Sequence, residues 1–260
     1  MRFAQQTAGC SDFDITLPGE TVPSFRLLLP EWLQAVGLDY HGLFHTIPGR
    51  WTSWEQGVEG QFTVMDTVAV GVRLLAQAHR VDITLSVQNI SARTLTDVWA
   101  NICTSVNHLP GTPGWYNQAF VPHLAPDRSL QGRYWYEQVT PQGLRALTDD
   151  GWVIMHPHPD QPDAASVPLY SFTPSTQANA RACAVCPPEG GLFLFQAWAT
   201  RCRYCAPCPG NACMHLEPLL AEALLPGEVA SIRGAVGLFR GSFTTLAPHL
   251  EEITCKGQRT

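Results

Sequence analysis

Apolar residues recur mostly at every second position along this chain, the period of a strand that buries one face. The clearest stretch runs from Val81 to Gln88, where Val81, Ile83, Leu85 and Val87 alternate with Asp82, Thr84, Ser86 and Gln88. Just upstream, Val68, Val70, Val72 and Leu74 keep the same rhythm, and Gln77 to Arg80 are placed to turn one strand into the other. Asn89 to Thr94 is polar and turn-like, after which Val98, Ala100, Ile102 and Thr104 resume the alternation. Together these segments predict an antiparallel meander of three strands.

Further along, Leu192 to Trp198 is a nearly continuous apolar run, as expected of a strand buried on both faces. Leu225-Pro226-Gly227-Glu228 predicts a turn, and Ala230, Ile232, Val236 and Leu238 follow it on alternating positions. Arg26 to Leu29 and Gln61 to Val64 are candidates for shorter strands. Helical patterns are few: Glu217 to Leu225 has room for a turn or two, and Pro141 to Thr148 for another. The expected fold class is all-β, an antiparallel β-sandwich of supersandwich type with long loops and little helix. With no repeat or low-complexity linker in sight, residues 1–260 are expected to form a single domain, with a cysteine-rich loop region at about 183–215.

Composition sharpens this picture. Apolar residues make up 45% of the chain, enough for a continuous core, and the 21 prolines and 21 glycines lie dispersed between short apolar runs, as many turns require. Charged residues are only 15% and the net charge is −6, so the basic footprint needed to bind nucleic-acid phosphate is missing. No apolar run approaches the roughly 18 residues that span a bilayer, so no membrane partner is expected. The first residues, Met1-Arg2-Phe3-Ala4-Gln5-Gln6, lack the apolar core of a secretory signal.

The stretch Val81-Asp82-Ile83-Thr84-Leu85-Ser86-Val87-Gln88-Asn89-Ile90-Ser91 resembles the strand, Asn-x-Ser turn and return strand of galactose-mutarotase-like β-sandwich proteins. The Leu225-Pro226-Gly227-Glu228 turn, leading into an alternating strand, is similar to the last hairpin of many such domains and of uncharacterised bacterial proteins of that type. The resemblance covers about a third of the chain and is structural. It implies a sugar-binding concave sheet on which a histidine and a glutamate serve as acid and base.

Cysteine carries the strongest local chemical signal. Cys183 and Cys186 form a C-x2-C pair, Cys202, Cys205 and Cys208 a C-x2-C-x2-C run, and Cys213 follows. The 15 residues between Cys186 and Cys202 sit at the short end of the spacing for paired zinc knuckles. Cys183, Cys186, Cys202 and Cys205 are therefore the economical ligand set for a structural zinc, with Cys208, Cys213 and His215 as alternates. Disulfides, an iron–sulfur run and free thiols compete with that reading. Metal ligation points to the cytoplasm and disulfides to an exported protein.

Histidines add a second signal. His156 and His158, in His156-Pro157-His158-Pro159-Asp160, would share one side of an extended chain, and so would His215 and Glu217 in Cys213-Met214-His215-Leu216-Glu217. An imidazole beside a carboxylate can move a proton at a sugar hydroxyl or anomeric oxygen. Aromatic residues expected in loops, Trp51 and Trp54, Trp115 and Tyr116, and Trp135, are candidates to stack on a sugar ring or another small polar ligand with an apolar face. Nucleotide-loop, zinc-protease and nucleophile-elbow motifs are absent. Two readings of function follow: a carbohydrate-binding or carbohydrate-modifying protein, or a non-catalytic binding or interaction module whose cysteine cluster, holding zinc or disulfides, fixes long loops.

Overall fold

The computed structural model describes residues 1–21, 23–38, 44–105, 144–148, 151–154, 180–185, 191–208 and 213–256. At 45, 105, 144–148, 151–154, 180, 185, 191–192, 203–208, 213, 243 and 256 it describes the backbone alone. The strands are β1 (Arg2–Gln5), β2 (Asp12–Thr16), β3 (Phe25–Val36), β4 (Arg50–Trp54), β5 (Gly57–Val64), β6 (Val68–Ala76) and β7 (Arg80–Asn89). They continue as β8 (Leu95–Ser105), β9 (Leu144–Thr148), β10 (Gly151–Ile154), β11 (Ala180–Val185), β12 (Gly191–Cys208), β13 (Cys213–Leu224) and β14 (Val229–Gly241), and helix α1 (Phe243–Lys256) closes the described chain.

The alternating segments became strands because only that conformation puts every second side chain on one face. Val81, Ile83, Leu85 and Val87 of β7 and Val68, Val70, Val72 and Leu74 of β6 all enter the main core. The β6–β7 turn falls where the polar residues predicted it, with Ala76 opposite Val81. The expected three-strand meander is not what forms. β7 pairs with β6 on one side and β14 on the other, while β8 lies between β3 and β13. Period-two patterning fixes which face of a strand is buried, and leaves the identity of its neighbour to the rest of the chain.

Among the described residues all pairings are antiparallel, in the order β1-β2-β3-β8-β13-β12-β14-β7-β6-β5-β4, with β11, β9 and β10 branching from β12. This long sheet curls until its ends meet. Phe13 of β2 stands edge-on to Trp51 of β4 with ring centroids 5.0 Å apart, and Trp51 Nε1 donates a 2.6 Å hydrogen bond to the carbonyl of Gly9. The Gly49 amide donates to the same carbonyl at 2.7 Å. The enclosed core draws on both ends of the path, from Phe13, Phe25 and Leu27 to Val58, Phe62 and Val72. The fold is thus the all-β, antiparallel, little-helix architecture that the sequence predicts.

β12 is buried on both faces, as its unbroken apolar run predicts. Leu194 and Trp198 enter the main core, whereas Phe193, Phe195 and Ala197 pack with Leu246 and Leu250 of α1 in a second one. Gly234 of β14 lies directly under the Trp198 ring, and a Cβ there would collide with it. α1 begins with a reciprocal cap: the Ser242 hydroxyl accepts from the Thr245 amide at 3.3 Å, and the Thr245 hydroxyl accepts from the Ser242 amide at 3.1 Å. Two helical expectations are corrected. Glu217 to Leu224 continues strand β13, and 144–148 is strand β9. Among the described residues no helix is long and apolar enough to cross a membrane.

Asn89 ends β7 and is fully buried. Its amide nitrogen donates to the carbonyls of Arg93 at 2.6 Å and Leu224 at 2.8 Å, while its oxygen accepts from the Ser91 amide at 3.0 Å. The Asn-x-Ser turn therefore staples the end of β7 to the end of β13.

Candidate functional site

β3, β8 and β13 lie side by side, and their register brings polar residues together on one face. His215 on β13 pairs with Cys103 on β8, Leu216 with Ile102, and on the other side Asn101 pairs with Trp32 of β3. Alternation sends Ile102, Met214 and Leu216 into the main core. It sends Asn101, Cys103, His215 and Glu217 to the opposite face, where they are nonetheless 1%, 4%, 7% and 6% exposed. A register shift between Leu28 and Trp32 interrupts β3 beside this face. Such bulges re-aim side chains, and this one sets both Glu31 and Trp32 beside His215. The Trp32 and His215 ring centroids are 6.0 Å apart.

Burial of so many polar groups is costly unless each finds a partner. Asn101 Nδ2 donates to Glu217 Oε1 at 3.1 Å. His215 Nε2 approaches Glu31 Oε2 to 3.0 Å, with side-chain exposures of 9% and 17%. That contact has the distance of a hydrogen bond without its alignment, and Glu31 Oε2 accepts no hydrogen bond among the described residues. Trp32 Nε1 and Asn101 Oδ1 are likewise buried without a hydrogen-bond partner there. Three polar atoms of this face, one donor and two acceptors, are thus left over on the two adjacent strands β3 and β8 among the described residues. The Sγ of Cys103 joins the Glu31 and His215 ligand atoms in a group whose members all lie within 4.8 Å of one another.

Predicted site residues fare unequally. His215 and Glu217 do share one side of an extended segment, but His215 faces Glu31 and Glu217 faces Asn101. Cys183 on β11 and Cys202 on β12 are both fully buried free thiols. Burial, then the nearby Glu217 carboxylate and Cys183, push the Cys202 thiol well above its ordinary range. Cys186 lies outside the described residues. For Cys205, Cys208 and Cys213 only the backbone is described, with Cys208 opposite Cys213 in the β12–β13 hairpin and Cys205 opposite Leu216.

Trp51 and Trp54, expected in a loop, lie on strand β4 at the far end of the sheet path. Trp51 belongs to the seam, and Trp54 is exposed with the Arg73 guanidinium 5.6 Å over its ring. Trp115, Tyr116, Trp135, His156 and His158 lie outside the described residues.

Sequence reasoning missed Glu31, Trp32, Asn101 and Cys103. One signal was available: Glu31 is a lone acid in the apolar run Phe25-Arg26-Leu27-Leu28-Leu29-Pro30-Glu31-Trp32-Leu33, where an unpaired charge is out of place.

No family model and no curated protein matches the chain. Solved structures do. The chain is similar to a galactose mutarotase related enzyme from Lactobacillus acidophilus, at 9% identity and a TM-score of 0.45, over 90% of this chain and 92% of that one. It is similar to a galactose mutarotase-like protein from Lactobacillus casei at 11% identity and a TM-score of 0.45, over 83% and 85% of the two chains. A galactose mutarotase-like protein from Clostridium acetobutylicum gives 11% identity and a TM-score of 0.43, over 85% and 80%. The likeness is one of strand arrangement and says nothing about which residues act.

Proposed function

We propose that the face formed by Glu31, Trp32, Asn101, Cys103, His215 and Glu217 binds a saccharide and moves a proton on it. The observation that carries this reading is the set of three buried polar atoms without hydrogen-bond partners among the described residues, Glu31 Oε2, Trp32 Nε1 and Asn101 Oδ1, beside His215 and Glu217. A buried donor or acceptor left unmade costs roughly 1–3 kcal/mol, so a ligand that satisfies all three gains much of its affinity there. Sugar hydroxyls each donate and accept, and so suit a mixed set of one donor and two acceptors. An indole edge adds apolar surface for the ring carbons. Two carboxylates on the face, Glu31 and Glu217, disfavour phosphorylated or otherwise anionic ligands.

Within this reading Glu217, held by the Asn101 amide, takes the proton, and the Glu31–His215 side faces the ligand oxygen where charge develops. The test is a panel of neutral aldoses screened by thermal shift and calorimetry, followed by exchange NMR between the anomers of any binder. Binding with accelerated anomer exchange, lost in Glu217→Gln at unchanged melting temperature, is the expected result. Binding without any reaction would make the protein a saccharide-binding module. No binding across the panel would end the saccharide reading.

A further inference from the structure

We infer that Glu31, Cys103 and His215 form a binding site for one divalent transition-metal ion, with zinc the best match. Their ligand atoms, a carboxylate oxygen, a thiol sulfur and an imidazole nitrogen, all lie within 4.8 Å of one another. Zinc takes these three ligand types at about 2.0–2.3 Å, which puts neighbouring ligands about 3.3 Å apart around a tetrahedral centre. The 3.0 Å between His215 Nε2 and Glu31 Oε2 is close to that edge.

Alignment supports the same assignment. A histidine–glutamate pair that existed for its own sake would aim the ring N–H at the carboxylate. Here the two atoms are at contact distance, yet among the described residues Glu31 Oε2 accepts no hydrogen bond, and it is buried. Two ligand atoms that sit together without pointing at each other are arranged for a third body between them. Register fixes the arrangement: His215 is directly opposite Cys103 across β13–β8, and the β3 bulge delivers Glu31 from the other side. Rigid strand positions suit a metal site better than loop positions do.

Among the described residues three protein ligands would leave a fourth tetrahedral position, the pattern of catalytic rather than structural zinc. With the metal bound, the ligand oxygen that would otherwise meet Glu31 Oε2 would take that position and be polarised there. This catalytic consequence rests on the saccharide reading, whereas occupancy by the metal does not. The set is distinct from the four-cysteine set Cys183, Cys186, Cys202 and Cys205, with which it shares no residue.

The test uses the full chain, stripped with a chelator and titrated with Zn²⁺ and with Co²⁺ in the absence of any saccharide. One ion is expected to bind, with a cobalt–thiolate charge-transfer band. Glu31→Gln and Cys103→Ser should each weaken zinc binding about 100-fold or more, beyond the 10–100-fold typical of outer-shell changes. The band should vanish in Cys103→Ser and survive in Cys183→Ala. Should either Cys variant fail to fold, Glu31→Gln decides, because that carboxylate is partly exposed and its neutral isostere keeps the shape. Zinc affinity unchanged in Glu31→Gln, a band that follows Cys183 instead of Cys103, or no bound ion at all would each overturn the site. Because no sugar is present, failure of the saccharide reading leaves the outcome intact.

Discussion

Phe13 and Trp51 hold together strands from opposite ends of one sheet path, their rings edge-to-face at 69° and 5.0 Å between centroids. No backbone ladder joins β2 to β4, so this aromatic contact and the shared Gly9 carbonyl close the curl. Trp51→Ala should cost about 3–5 kcal/mol, as large aromatic truncations do, and Trp51→Phe, which keeps a ring but loses the indole donor, only about 1 kcal/mol. Urea unfolding of the two variants checks the ratio. Equal and small losses would mean that the seam is held elsewhere.

Gly234 has no space for a side chain beneath the Trp198 ring. Gly234→Ala should destabilise by roughly 1–3 kcal/mol through overpacking, and pairing it with Trp198→Phe should recover part of that loss. A double-mutant cycle in thermal melts measures the coupling.

Asn89 matches a glycosylation acceptor in sequence, but its amide nitrogen is buried and donates to two carbonyls. Passed through a eukaryotic secretory pathway, the folded protein should carry no glycan at Asn89. Asn89→Ala should cost about 1–3 kcal/mol, because it strands those carbonyls. Mass spectrometry and denaturant melts read the two outcomes.

The described cysteines differ sharply in access. Cys255 is exposed, whereas Cys10, Cys103, Cys183 and Cys202 are buried. Brief alkylation of native protein should label Cys255 first, and Cys183 and Cys202 only after denaturation. Peptide mapping that found Cys202 modified as early as Cys255 would contradict its place in the core.

Asn101 Nδ2 donates a 3.1 Å hydrogen bond that orients the Glu217 carboxylate. Asn101→Ala should impair any turnover by at least about tenfold, and Asn101→Asp by more, since a second carboxylate would face Glu217. Comparison of kcat with KM separates this positioning role from plain loss of binding.

Much of this was legible in advance. The alternation in Val68 to Leu74 and Val81 to Gln88, the two-sided burial of Phe193 to Trp198 within the apolar run and the Leu225–Glu228 turn all reappear in the structure. Other features were out of reach for physical reasons. Leu219-Leu220-Ala221-Glu222-Ala223-Leu224 is composed of good helix formers, yet pairing with β8 holds it extended, so tertiary contacts override local propensity. α1 went unread because Thr244, Thr245 and Pro248 are poor helix residues, and its apolar stripe only acquires meaning against Phe193 and Phe195. The polar face was half visible: His215 and Glu217 declare a shared side of one strand, but only register with β8 and the bulge in β3 reveal that their partners are Asn101 and Glu31.

β12 is the party wall between two rooms, one furnished by Leu194 and Trp198, the other by Phe195 and the helix residues Leu246 and Leu250. Damage to one side is therefore felt on the other. Loosening the helix removes the backing from β12, whose Gln196 amide ties the backbones of Ile102 and Met214, the neighbours of Cys103 and His215. The far C-terminal helix and the polar face are tenants of the same wall, and they should stand or fall in a single melting event.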